Sequence, residues 1–113
     1  MSLSREEAAL LLAKYADPSA PSVMCVFMSP SANSARVFGQ LSAKKVPELG
    51  LVLTLRSESE DMIFFTMDER CRFEYANALE GPEWLRETSK RNFEGVLAII
   101  NSSGDRLYIY EPK

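Results

Sequence analysis

A chain of 113 residues with 46% apolar and 26% charged side chains has the size and balance of one folded domain, residues 1–113; cut in two, neither half would bury an adequate core. Its net charge of −3 and pI near 5.0 leave it without the surplus of lysine and arginine that draws proteins to nucleic acid or anionic membrane. It contains no histidine, which excludes serine–histidine and cysteine–histidine nucleophile pairs and the usual histidine-bearing zinc site.

Met1-Ser2-Leu3 carry no pattern and are assigned no element. A helix is predicted from Ser4 to Ala16. Ser4 and Glu7 have the spacing of a capping box, in which each side chain bonds the other's backbone amide. Glu6 and Glu7 face the positive end of the helix dipole. Ala8, Leu11, Leu12 and Tyr15 then fall on one side at helical spacing. Asp17-Pro18 ends the helix and Pro21 keeps the chain extended.

From Val23 the period changes to two. Val23 to Met28 is apolar on both faces and bounded by Pro21 and Pro30, the pattern of a buried strand. Ser29 to Ser34 reads as a loop. Arg36 to Ala43 alternates as a strand, and Gly39 within it marks a bend or a close packing partner. Lys44 to Gly50 is a connection, and Leu51 to Arg56 is the cleanest alternation in the chain. After the acidic turn Ser57 to Asp61 comes a second doubly apolar strand, Met62 to Met67. Cys71, Phe73 and Tyr75 alternate with Arg72, Glu74 and Ala76 in the next.

Gly81-Pro82 opens a short second helix, with proline at the first helical position, where its missing N–H costs nothing. Trp84, Leu85 and Thr88 share one side of it, with Glu83, Arg86, Glu87, Lys90 and Arg91 toward water. Gly95 to Ile100 and Arg106 to Tyr110 form a closing hairpin, with Gly104 suited to a left-handed turn position. The fold class is α+β: a strongly curved antiparallel sheet or small open β-barrel of about seven strands, with an N-terminal helix and one short inserted helix.

Few residues point to chemistry. Cys25 and Cys71 form no CxxC pair and read as buried reduced thiols. Glu58, Glu60 and Asp61 crowd one turn but lack the glycine-punctuated calcium loop, so a solvated turn is the expectation and no metal is assigned. Asp68 and Glu69 could join them as an acid–base pair, without the aromatic platform of a sugar site. The isolated glycines cradle no phosphate. No catalytic residue and no cofactor are assigned.

Two surfaces could bind. Trp84, Arg86, Lys90 and Arg91, with Phe93 beyond, combine cations and aromatics, although Trp84 and Phe93 also suit anchors for a short helix. Tyr108 and Tyr110 share one face of the last strand, which at a sheet edge would pair with a partner; as rim cover for the core they would bind nothing. The two doubly apolar strands, rich in Met24, Met28, Met62 and Met67, pose a sharper question. Either the sheet closes on itself or another subunit covers the second face.

The function expected is a non-catalytic binding or interaction domain, self-associating as a homodimer or docking a protein partner. A nucleotide- or RNA-binding small barrel using Arg36, Lys44, Lys45 and the second-helix cations is the alternative, and a carboxylate-based enzyme comes third. No basic-then-apolar leader opens the sequence, and no apolar run approaches the roughly 18–20 residues of a membrane span. A cytoplasmic protein with no membrane role is expected. The identity of any small-molecule ligand is not legible.

Overall fold

The computed structural model describes residues 2–31, 34–46, 50–57, 62–77 and 93–112. The elements in chain order are β1 (Ser2–Leu3), α1 (Arg5–Tyr15), β2 (Val23–Met28), β3 (Ser34–Val46), β4 (Gly50–Arg56), β5 (Met62–Met67), β6 (Arg72–Asn77), β7 (Phe93–Ile100) and β8 (Arg106–Pro112). The strands form an eight-stranded sheet in the order β1-β6-β7-β8-β2-β3-β4-β5, antiparallel at every pairing. The added strand relative to expectation is β1. Ser2 and Leu3 pair with Glu74 and Phe73, a long-range partnership that a two-residue segment cannot announce by periodicity. The second helix expected at Gly81-Pro82 lies outside the described residues.

Helix α1 begins as its sequence dictates. The Ser4 Oγ accepts from the Glu7 amide at 3.1 Å, and the Ser4 amide donates to Glu7 Oε1 at 3.0 Å. Ala8, Leu12 and Tyr15 are buried on its inner side.

Strand β3 makes the curvature. Its first half, Ser34–Gly39, pairs with β2, and its second half, Gln40–Val46, pairs with β4. One long strand therefore carries the sheet round a corner, and Gly39 sits at the handover. A Cβ on Gly39 would stand 2.0 Å from the Arg56 carbonyl oxygen, so the glycine permits the end of β4 to cross there. The expected connection from Lys44 is shorter than predicted, because β3 runs on to Val46.

The sheet folds over itself without closing. The inward residues Leu53, Leu55, Ile63, Phe65 and Met67 of β4–β5 meet Cys25, Leu97, Ile99, Leu107 and Ile109 in one core, with α1 against it. Phe27 and Phe65 touch edge to face across that interior, centroids 6.2 Å apart. Residues 68–71 suffice to carry the chain from β5, at one end of the strand order, to β6 near the other.

A second apolar cluster occupies the opposite face of the first half of the sheet: Met24, Val26, Val96, Ala98, Tyr108 and Tyr110. All six are buried within the single chain, so the second face of β2 does not call for another subunit. Among the described residues, no helix is long and apolar enough to cross a membrane.

Candidate functional site

Strand β8 is not at an edge. It lies between β7 and β2, and Tyr108 and Tyr110 are buried, Tyr110 completely. The last strand in sequence is central in space, so the reading of these tyrosines as an exposed edge surface is corrected. Trp84, Arg86, Lys90 and Arg91 lie outside the described residues, as do Glu58, Glu60 and Asp61.

Asp68 is described, and it is a staple between turns. Its carboxylate accepts from the Ser102 amide at 3.1 Å, from the Ser102 hydroxyl and from the Arg70 amide at 2.9 Å. The Ser102 hydroxyl above all, then the Ser102 amide, holds this carboxyl below the usual aspartate range. A carboxylate stabilised in its charged form is the opposite of a general acid. Both cysteines are unbridged. Burial pushes the Cys25 thiol far up, and burial is also the main cause raising Cys71, so neither has the lowered pKa of a reactive thiolate. Among the described residues no group of three or more acidic or cysteine side chains is placed to hold a metal ion.

Among the described residues a polar constellation centres on Glu111, which no sequence motif singles out. Leu107, Ile109 and Glu111 share one face of β8, so the alternation that buries the first two carries the carboxylate inward. Glu111 is 7% exposed, the one charged residue in the buried set among the described residues. Its Oε1 accepts from Lys14 Nζ at 2.9 Å, and its Oε2 accepts from the hydroxyls of Tyr15 at 3.0 Å and Tyr75 at 2.8 Å. Burial would raise its pKa, but the bonds from Lys14, Tyr75 and Tyr15 together outweigh that and hold it below the ordinary value. Tyr15 is pushed the other way, first by burial and then by the Glu111 charge. A cleft of about 140 Å³ beside Lys14, Tyr15, Pro21, Val23 and Glu111 adjoins the group. Both carboxylate oxygens are already engaged, so the arrangement ties α1 to β6 and β8 instead of offering a free base.

Exposed apolar side chains lie elsewhere: Leu10 stands out from α1 at 75% exposure, and three others stand on the sheet. Phe38 is 61% exposed, Phe64 63% and Met62 40%. Their positions follow from register: Gln40, Arg56 and Met62 form one row across β3, β4 and β5, and Ser42, Thr54 and Phe64 form the next. Phe38 continues the same outward side of β3. Between the rim of β5 and the β7–β8 turn runs a cleft of about 240 Å³, whose walls include Phe27, Phe64, Phe65, Asp68, Asn101 and Asp105.

No family model, curated protein or solved structure matches the chain. The functional reading therefore rests on these side chains alone.

Proposed function

We propose that this chain is a non-catalytic interaction domain whose docking surface is the outer face and rim of β5. One observation carries the reading: Phe64 and Met62 stand exposed on the last strand of the sheet, with Phe38 on the same side, while the outer face of β2, β7 and β8 is buried. The unbalanced apolar surface anticipated from two doubly apolar strands thus narrows to one of them. Exposed apolar side chains gathered on one side of a terminal strand are a recognised mark of partner surfaces. What further supports the reading is that the buried carboxylate is fully engaged by donors and Asp68 is held charged, so neither of these described carboxylates is poised as the carboxylate-enzyme alternative requires. The nucleic-acid alternative keeps Arg36, Lys44 and Arg56 on the same outward side of β3 and β4 as Phe38, but the net charge of −3 gives the chain no surplus of cations to support it.

The test is the oligomeric state of the wild type and of Phe64→Ser, by native mass spectrometry and light scattering over rising concentration. A dimer that Phe64→Ser dissociates establishes the surface as a docking site for a second copy. A protein monomeric throughout, and indifferent to every peptide described below, overturns the reading.

A further inference from the structure

The docking reading leaves the occupant of β5 open, and three observations select one. The first is the rim itself. Strand β5 pairs with β4 and ends the strand order. The Thr66 carbonyl accepts from Asn101 Nδ2 at 3.4 Å, so it faces away from β4. A residue's N–H and C=O point to the same side of a strand and alternate along it; the backbone groups of Phe64 and Met62 therefore face the same way as those of Thr66. The edge offers the template on which an extended chain adds as a further strand.

The second observation is charge. Glu58, Glu60 and Asp61 precede β5 in sequence, and Asp68 and Glu69 follow it. Two copies pairing antiparallel along β5 would bring the acidic stretch that precedes the strand in one toward the acidic stretch that follows it in the other. Like charges directly opposite are destabilising. The exposed parts of Phe38, Phe64 and Met62 amount to about 300 Å², taking ~150–250 Å² for each aromatic, against about 450 Å² of apolar area on each side of a standard interface. Both facts disfavour a second copy and suit a short segment.

The third is the cleft. Asp68 and Asp105 line it together with Phe27, Phe64 and Phe65, and among the described residues no basic side chain does. Carboxylates beside aromatic rings are the surroundings that an ammonium or guanidinium group favours.

We infer that β5 receives an extended basic segment of another protein, paired along its edge, with a lysine or arginine of that segment entering the cleft beside Asp105. The inference rests on the docking reading, and its failure is separable from the failure of that reading.

The probe is a short fluorescein-labelled peptide of alternating lysine and valine, compared by anisotropy with its serine–valine and glutamate–valine counterparts. The lysine peptide binds, weakens as salt screens the charges, and loses about tenfold in affinity, or about 1.4 kcal/mol, with Asp105→Asn. Phe64→Ser also weakens it, and circular dichroism of both variants shows the fold retained. Equal binding of the serine and lysine peptides overturns the basic partner and leaves the docking surface standing. So does a lysine-peptide affinity unmoved by both salt and Asp105→Asn. Failure of all three peptides alongside a dimer sensitive to Phe64→Ser replaces the basic segment with a second copy. Failure of all three with a monomeric protein overturns the inference and the docking reading together.

Discussion

Replacing Glu111 by leucine removes the acceptor shared by three donors and keeps the volume apolar. The cost follows from where each donor sits. The Tyr15 ring is buried, so its hydroxyl is left without an acceptor or water, at about 2 kcal/mol within the 1–3 kcal/mol range for such orphans. Tyr75 is half-buried and recovers some hydration, which sets its share at about 1 kcal/mol. Lys14 is 67% exposed at its side chain, and an ion pair so wet contributes only a few tenths of a kcal/mol. Glu111→Leu should therefore destabilise by about 3 kcal/mol, a large part of the roughly 5–15 kcal/mol of a domain this size. Urea unfolding with an unchanged m-value is the assay. The partner variant sharpens it: Tyr15→Phe should cost clearly in the wild type and little or nothing in the Glu111→Leu background, because the orphaned hydroxyl goes with it. Equal costs in both backgrounds, or a Glu111→Leu penalty under about 1 kcal/mol, would refute the clamp. Its pH signature has a definite sign. Since folding lowers the pKa of Glu111, its contribution is complete above the unfolded glutamate value of about 4.3 and is lost as pH falls through the lower folded value. Glu111→Gln should flatten that part of the acid limb.

Two further outcomes test the fold around the site. Gly39→Ala places a methyl 2.0 Å from the Arg56 carbonyl, a collision with backbone that a rotamer change cannot relieve; a loss of about 3 kcal/mol or more is expected, read as a lowered urea midpoint, and a neutral result would mean that β3 does not turn there. Cys25 should resist a thiol-specific chromogenic reagent in the native protein and react only on unfolding, because its thiol is fully buried with a raised pKa; rapid native labelling of Cys25, located by peptide mapping, would contradict the core.

The sequence by itself determined what depends on neighbours along the chain. The capping box fixed the start of α1 at Ser4. Short continuous apolar runs between polar or proline breakers marked Val23–Met28 and Met62–Met67 to the residue, and Gly104 takes the positive φ of 84° that its turn position suggested. Gly39 was legible as a bend for the same reason: a residue lacking a side chain inside a strand implies something close by. Strand order was not legible, because periodicity assigns faces and says nothing of which strand lies alongside. That single gap accounts for the main corrections. It made the terminal strand look like an edge when β8 is central, and it hid β1, whose partner is distant in sequence. It also gave no sign of the role of Glu111, which the inward parity of β8 brings under Tyr15 and Tyr75 from two other elements. Only the tertiary structure could decide which doubly apolar strand is covered on both sides. Both β2 and β5 carry the same pattern, but β2 is sandwiched between β3 and β8 with its second face buried. β5 ends the sheet with Phe64 and Met62 in water, because burial is set by what folds over a strand and not by the strand's own residues.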